Sequence, residues 1–128
     1  MNILSICLRK YNFCFLFKFK SGHTNCVRSL AALNANEFLS CSNDDTIKRW
    51  NLNSNRCLQT YEGHTSFVYS VAVISPERFA SVSEDRSLRL WSISKSESIQ
   101  TIRLPATTIW SVCSLTNSDV VTGCRSVQ

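Results

Sequence analysis

Between residues 22 and 103 the apolar side chains come in short runs, each closed by a cluster of residues that turn a chain. Residues 26–33 are the first run, Asn34, Asn36 and Glu37 a polar break, residues 38–42 the second run and residues 42–45 a tight turn. Residues 46–52 and 56–61 follow, separated by a turn over 51–55. β-Branched and aromatic residues fill these runs and no stretch keeps a helical period, so each run predicts a strand. Val27 and Leu30 stand three apart, which breaks strict alternation and predicts a bulge in the first strand. The order returns as strands over 67–74, 78–83, 87–93 and 98–103, with the fourth strand of each set the more exposed.

The recurrence is a repeat. Residues 22–50 and 63–91 superimpose without a gap at an offset of 41 residues, and 13 positions of the 41-residue unit are identical. Gly22/Gly63, His23/His64, Val27/Val68, Ser40/Ser81, Asp44/Asp85 and Trp50/Trp91 coincide. A period of this size marks stacked supersecondary units that cannot bury their apolar faces alone. A third pass keeps Ile109, Ser111, Val112, Leu115 and Asp119 in step, but Leu104 and Pro105 replace the Gly-His pair. The fold class expected is all-β, with two complete four-stranded units (22–62 and 63–103) and part of a third (104–128). Propellers need about four to eight such units. The 128 residues are therefore expected to form a slice of an incomplete ring, as a fragment would.

Four polar residues recur in each unit: His23, Ser40, Asp44 and Trp50, then His64, Ser81, Asp85 and Trp91. A histidine, a hydroxyl and a carboxylate have the composition of a nucleophilic triad. Duplication argues against that use, because a second full copy fits a load borne by every unit better than one active site. The structural alternative is a buried relay: the carboxylate fixes the imidazole, the imidazole meets the hydroxyl, and the hydroxyl receives the indole N–H. Such a relay removes a desolvation cost of roughly 1 to 3 kcal/mol per unpaired group.

Charge and cysteine content narrow the classes further. Of the formal +5, Arg9, Lys10, Lys18 and Lys20 supply most, while from residue 21 onward ten basic residues face nine acidic ones. No basic stripe with interleaved aromatics runs through the repeats, so no nucleic-acid partner is expected. Seven cysteines, at 7, 14, 26, 41, 57, 113 and 124, include no CxxC pair and no histidine at zinc-ligand spacing, so no metal or other cofactor is expected. Cys26, Cys41, Cys57 and Cys113 fall in predicted strands and are expected to pack as small apolar groups, which suits a reducing cytosol or nucleus. Residues 1–20 differ from the rest in being aromatic and basic. Aligned at the same offset, residues 15–20 (FLFKFK) fall where 56–61 fall and could serve as a terminal strand. Arg9 and Lys10 interrupt the only short apolar run there, which argues against a secretory signal, and no apolar segment has the length of a membrane span.

With these residues in view, Gly-His followed by SNDDTIKRW or SEDRSLRLW closing on tryptophan resembles the WD-repeat β-propeller family from residue 21 onward. The dipeptide that names the family reads Trp50-Asn51 and Trp91-Ser92. Less generic segments, FLSCSNDDTIKRW and above all SIQTIRLPATTIWSVCSLTNSDVVTG, look like the later blades of the phospholipase A-2-activating protein family of Doa-type ubiquitin-recycling factors. That resemblance implies a non-enzymatic propeller that binds ubiquitin or ubiquitinated proteins. It also implies docking of an AAA unfoldase, valosin-containing protein, through a helical domain that these 128 residues do not contain. By position in the family, the partner-facing rim comprises Cys26 and Arg28, Phe67 and Tyr69, Thr108 and Trp110, then Asn43 and Glu84, with Arg125 at the third corresponding place. Arg28, Tyr69, Phe67 and Trp110 are of the types enriched at interface anchors, with packing within or between blades as the alternative for Phe67 and Trp110. Three other functions compete: a generic WD-repeat scaffold, a hydrolase using one His/Ser/Asp set, and a basic tether through residues 8–20.

Overall fold

The computed structural model describes residues 22–105 and 107–124 together with the backbone of two strands near the N-terminus, Ile3–Leu8 (β1) and Phe13–Lys18 (β2). β1 and β2 form an antiparallel hairpin in which Ile3 lies opposite Lys18 and Leu8 opposite Phe13. The expected terminal strand thus begins two residues earlier, its paired partner is β1, and Phe19 and Lys20 lie outside the described residues.

The first repeat folds as a four-stranded antiparallel sheet in chain order: β3 (Val27–Ala32), β4 (Glu37–Ser42), β5 (Ile47–Asn51) and β6 (Arg56–Tyr61). The second builds the same sheet from β7 (Val68–Ser75), β8 (Arg78–Ser83), β9 (Ser87–Ser92) and β10 (Ser98–Arg103). The third contributes β11 (Ile109–Ser114) and β12 (Val120–Cys124). The bulge expected in the first strand is present in every copy: the register shifts between Val27 and Ser29, Val68 and Ser70, and Ile109 and Ser111. Asp45 and Arg86 close the equivalent turns at φ of 67° and 65°. Among the described residues there is no helix, and these sheets do not close into a ring.

Each four-stranded sheet buries its second strand on both faces, since every residue from Phe38 to Ser42 and from Phe79 to Ser83 is buried. One face of β4 and β5 packs on β7 and β8 through Leu39, Cys41, Ile47, Tyr61, Val68, Val71, Phe79 and Trp91. The opposite face of the second sheet packs on the third through Ala72, Ala80, Val82, Ile109 and Val112. Burying one large apolar side chain is worth about 1.5–3 kcal/mol, so these inter-sheet clusters hold the assembly together. Polar bonds add to them. The Tyr61 hydroxyl donates to the carbonyl of Ile93 at 2.7 Å, and the Ser114 hydroxyl donates to the carbonyl of Val73 at 2.7 Å.

Candidate functional site

The loop before β3 and the turn between β4 and β5 meet at one end of the first sheet, and the four repeated polar side chains join them. In unit one, Trp50 Nε1 donates to Ser40 Oγ at 2.7 Å, Ser40 Oγ lies 2.6 Å from His23 Nε2, and His23 Nδ1 lies 2.8 Å from Asp44 Oδ2. In unit two the distances are 2.8, 2.7 and 2.8 Å for Trp91, Ser81, His64 and Asp85. One proton assignment satisfies all groups: indole N–H to hydroxyl oxygen, hydroxyl to Nε2, and Nδ1–H to carboxylate, with the imidazole neutral. Burial pulls the His23 pKa below its ordinary value despite Asp44, in keeping with that neutral form. Burial alone would raise Asp44 and Asp85. Hydrogen bonds from Thr46, the Thr24 amide and His23 outweigh it for Asp44, those from His64, Ser87 and the Thr65 amide do so for Asp85, and both carboxyls stay below the usual range.

Two further hydroxyls repeat with the relay and were legible in the sequence as recurring positions, although the quartet alone drew attention. Thr46 and Ser87, two residues after each aspartate, donate to it at 2.6 and 2.5 Å. Ser42 and Ser83 accept from the Asp44 and Asp85 amides at 3.1 Å each. Ser40 and Ser81 are both 0% exposed, and each already receives an indole N–H. No substrate carbonyl reaches a hydroxyl enclosed in that way, so a nucleophilic role for either serine has no geometric basis.

What the relay end presents to solvent is a row of flat side chains. The Arg28 guanidinium carbon lies 5.7 Å from the centre of the Tyr69 ring, and Tyr69 stacks on Trp110 at 4.5 Å with an angle of 29° between planes. Trp110 is 50% exposed and Phe67 36%, so each keeps part of its ring in solvent while the rest is covered. Arg28 Nε donates to Asn43 Oδ1 at 2.6 Å, which fixes the guanidinium over the ring. Glu84 accepts from the Ser66 hydroxyl at 3.2 Å, and burial together with Glu84 raises the Tyr69 phenol while Arg28 opposes. The row therefore takes one residue from the first strand of each of the three repeat units. Asp45 joins the same end, its carboxyl raised by burial and by Asp44, Asp85 and Glu84. Arg125 lies outside the described residues. Cys26 and Cys113 are exposed, contrary to the expectation that they pack as small apolar groups: Cys26 precedes β3, and Cys113 points to the open face of β11. Cys41 is buried, and burial pushes its thiol up to about 12. Among the described residues no group of histidine, cysteine and carboxylate side chains could hold a metal ion.

The family described as WD domain, G-beta repeat matches residues 13–51 and 55–92, each match running from an outer strand into the next sheet as far as its tryptophan. The chain belongs to the WD-repeat family. Among solved structures it is similar to the crystal structure of the WD40 β-propeller domain of Doa1, with 40% sequence identity and a TM-score of 0.79, over 85% of this chain. The chain spans 37% of the length of that structure. No curated protein sequence matches it.

Proposed function

We propose that this WD-repeat chain recognises ubiquitin, or ubiquitin on a modified protein, through the relay end of its sheets, and that it works in ubiquitin-dependent protein turnover in the cytosol or nucleus. The observation that carries the reading is its 40% identity with the Doa1 propeller, together with the Doa-type character of the TIRLPATTIW segment. The rim supports it chemically. Arg28, Tyr69 and Trp110 form a rigid aromatic and cationic shelf, Phe67 widens its apolar area, and Asn43 and Glu84 supply the polar border. Aromatic and arginine anchors ringed by polar groups are what a protein-binding surface uses, with most of the energy in a few such residues. The unfoldase contact implied by the family would be made by a domain outside these residues.

Titration of 15N-labelled ubiquitin with the chain tests the reading. Shifted ubiquitin resonances are expected, and Tyr69→Ala is expected to weaken binding by about 2 kcal/mol, roughly thirtyfold, because it removes the central member of the shelf. Absence of any shift at millimolar concentration would overturn ubiquitin recognition and leave a WD-repeat scaffold for another protein.

A further inference from the structure

The outermost strands repeat a feature far from the relay. β6 and β10 close their sheets, and among the described residues no strand pairs with their far edges. In both, the register against the third strand slips at the same place. Gln59 and Cys57 stand opposite Arg49 and Trp50, which leaves Leu58 without a cross-strand partner; Gln100 and Ser98 stand opposite Leu90 and Trp91, which leaves Ile99 without one. Leu58 and Ile99 coincide at the 41-residue offset. At each bulge a large apolar side chain is thus held in solvent, Leu58 at 47% exposure and Ile99 at 55%. Leu58 is exposed with a complete second sheet packed beside its own, so the exposure belongs to the unit itself. Ile102 differs, because its counterpart Tyr61 is buried under the following sheet.

Charge sorts along the same strands. β5, β6, β9 and β10 carry Lys48, Arg49, Arg56, Arg89 and Arg103 and no carboxylate. Among the described residues only Arg49 of these is ion-paired, with Glu37 at 2.6 Å. Glutamine and threonine follow each bulged residue, as Gln59-Thr60 and Gln100-Thr101, and a cation lies across from each threonine, Lys48 in one sheet and Arg89 in the other. Lys48 Nζ donates to Thr60 Oγ1 at 2.9 Å. Arg89 is less satisfied: Nη1 reaches Ser98 Oγ at 3.4 Å, and its buried Nε has no partner among the described residues.

We propose that the outer strands of the two complete sheets form a second docking surface, for an acidic segment of another protein whose apolar residues rest on Leu58 and Ile99 and whose carboxylates meet Lys48, Arg56 and Arg89. The inference goes beyond ubiquitin recognition and does not rest on it. A bulge blunts an edge against continuous strand addition, so side chains carry the recognition. Charge complementarity selects the occupant, since cations with no carboxylate of their own accept carboxylates, and a guanidinium takes one through two parallel hydrogen bonds. The repeat supplies two equivalent contacts, and one segment that reaches both binds more tightly than either contact alone allows. A nucleic-acid strand fits less well, because the aromatic rings of these strands, Trp50, Tyr61 and Trp91, are buried and offer no face for a base to stack on. A lipid surface calls for one continuous apolar face, whereas Leu58 and Ile99 are single side chains, each followed by glutamine and threonine.

Fluorescence anisotropy of a dye-labelled, end-capped peptide of repeated Glu-Leu-Asp, titrated with the full chain at low salt, tests the surface. Saturable binding that weakens as salt is added is expected. Repeats of Gln-Leu-Asn or Glu-Ser-Asp are each expected to bind about tenfold more weakly or worse, and so is the acidic peptide to Leu58→Ser combined with Ile99→Ser and to Arg56→Glu alone. All three side chains are exposed, so urea midpoints read by tryptophan fluorescence are expected to match the parent chain. Arg56→Glu decides the matter if the serine variant unfolds early. Ubiquitin shifts are expected to be the same in every variant, which keeps a failure of this surface distinct from a failure of the relay end. Lack of binding in the millimolar range, control peptides that bind as well as the acidic one, or binding that survives both variants overturns the proposal. Binding of phosphatidylserine vesicles or single-stranded DNA in place of the peptide overturns it as well.

Discussion

Ser40 makes two hydrogen bonds of opposite polarity, accepting from Trp50 and meeting the imidazole of His23, so its removal strands a donor on one side and an acceptor on the other. Ser40→Ala and Ser81→Ala are each expected to lower unfolding free energy by about 1–3 kcal/mol, measured by urea titration, and Asp44→Ala by a similar amount. The acid dependence follows from the same bonds. His23 has a lower pKa folded than unfolded, so the unfolded chain takes up the proton first, and stability present above the ordinary value of 6.5 erodes as pH falls below it. Asp44 and Asp85 are held below their ordinary value of 3.8, so their contribution is complete above that pH and is lost below it. Both effects have one sign: urea midpoints are expected to fall from pH 7.5 to pH 5 through histidine and to fall again below pH 4 through the carboxylates. A midpoint that rises on acidification would show that the imidazole is not held neutral.

Between elements the same physics works through contacts that cross from sheet to sheet. Tyr61 lies at the end of β6, 1% exposed, edge-on to Phe79 at 4.8 Å, with its hydroxyl on the Ile93 carbonyl of the neighbouring sheet. Burial raises its phenol to about 12, so the bond is a neutral donor's throughout the physiological range. Tyr61→Phe is expected to cost about 1 kcal/mol, visible as a lower urea midpoint. Gly63 opens unit two at φ of 153°, and a Cβ there would come within 3.0 Å of Arg89 Nη1 and 3.2 Å of Trp91 Cη2. Gly63→Ala is therefore expected to destabilise by more than about 1 kcal/mol, through backbone strain and displacement of the relay tryptophan. These elements also show what the sequence could reveal. The sheets, the first-strand bulge and the quartet were legible because the repeat writes them twice, and Thr46/Ser87 recur in the same way. The Tyr61 bond was not legible, because its counterpart in unit two is Ile102 and its acceptor is a backbone carbonyl. The Arg28, Tyr69 and Trp110 row was visible as three candidate positions. Its stacking was not, since that depends on how neighbouring sheets are spaced. Cys26 and Cys113 were misplaced because an apolar run does not tell which alternate residues face a neighbour.

Over the whole molecule, burial falls away from the second sheet. β8 lies between two inter-sheet clusters and is buried from Phe79 to Ser83, whereas β12 has no buried residue among its five. Local opening requires only that the covering contacts be broken, so exchange should be slowest in β8 and the strands beside it and fastest in β10 and β12. Amide hydrogen exchange of the dilute chain is expected to show that gradient. The same experiment reports on the relay end: saturating ubiquitin is expected to slow exchange in the first strands, which carry Arg28, Tyr69 and Trp110, and to leave β12 unchanged. Slower exchange confined to β12 would mean that the ligand lies along that strand instead of on the aromatic shelf.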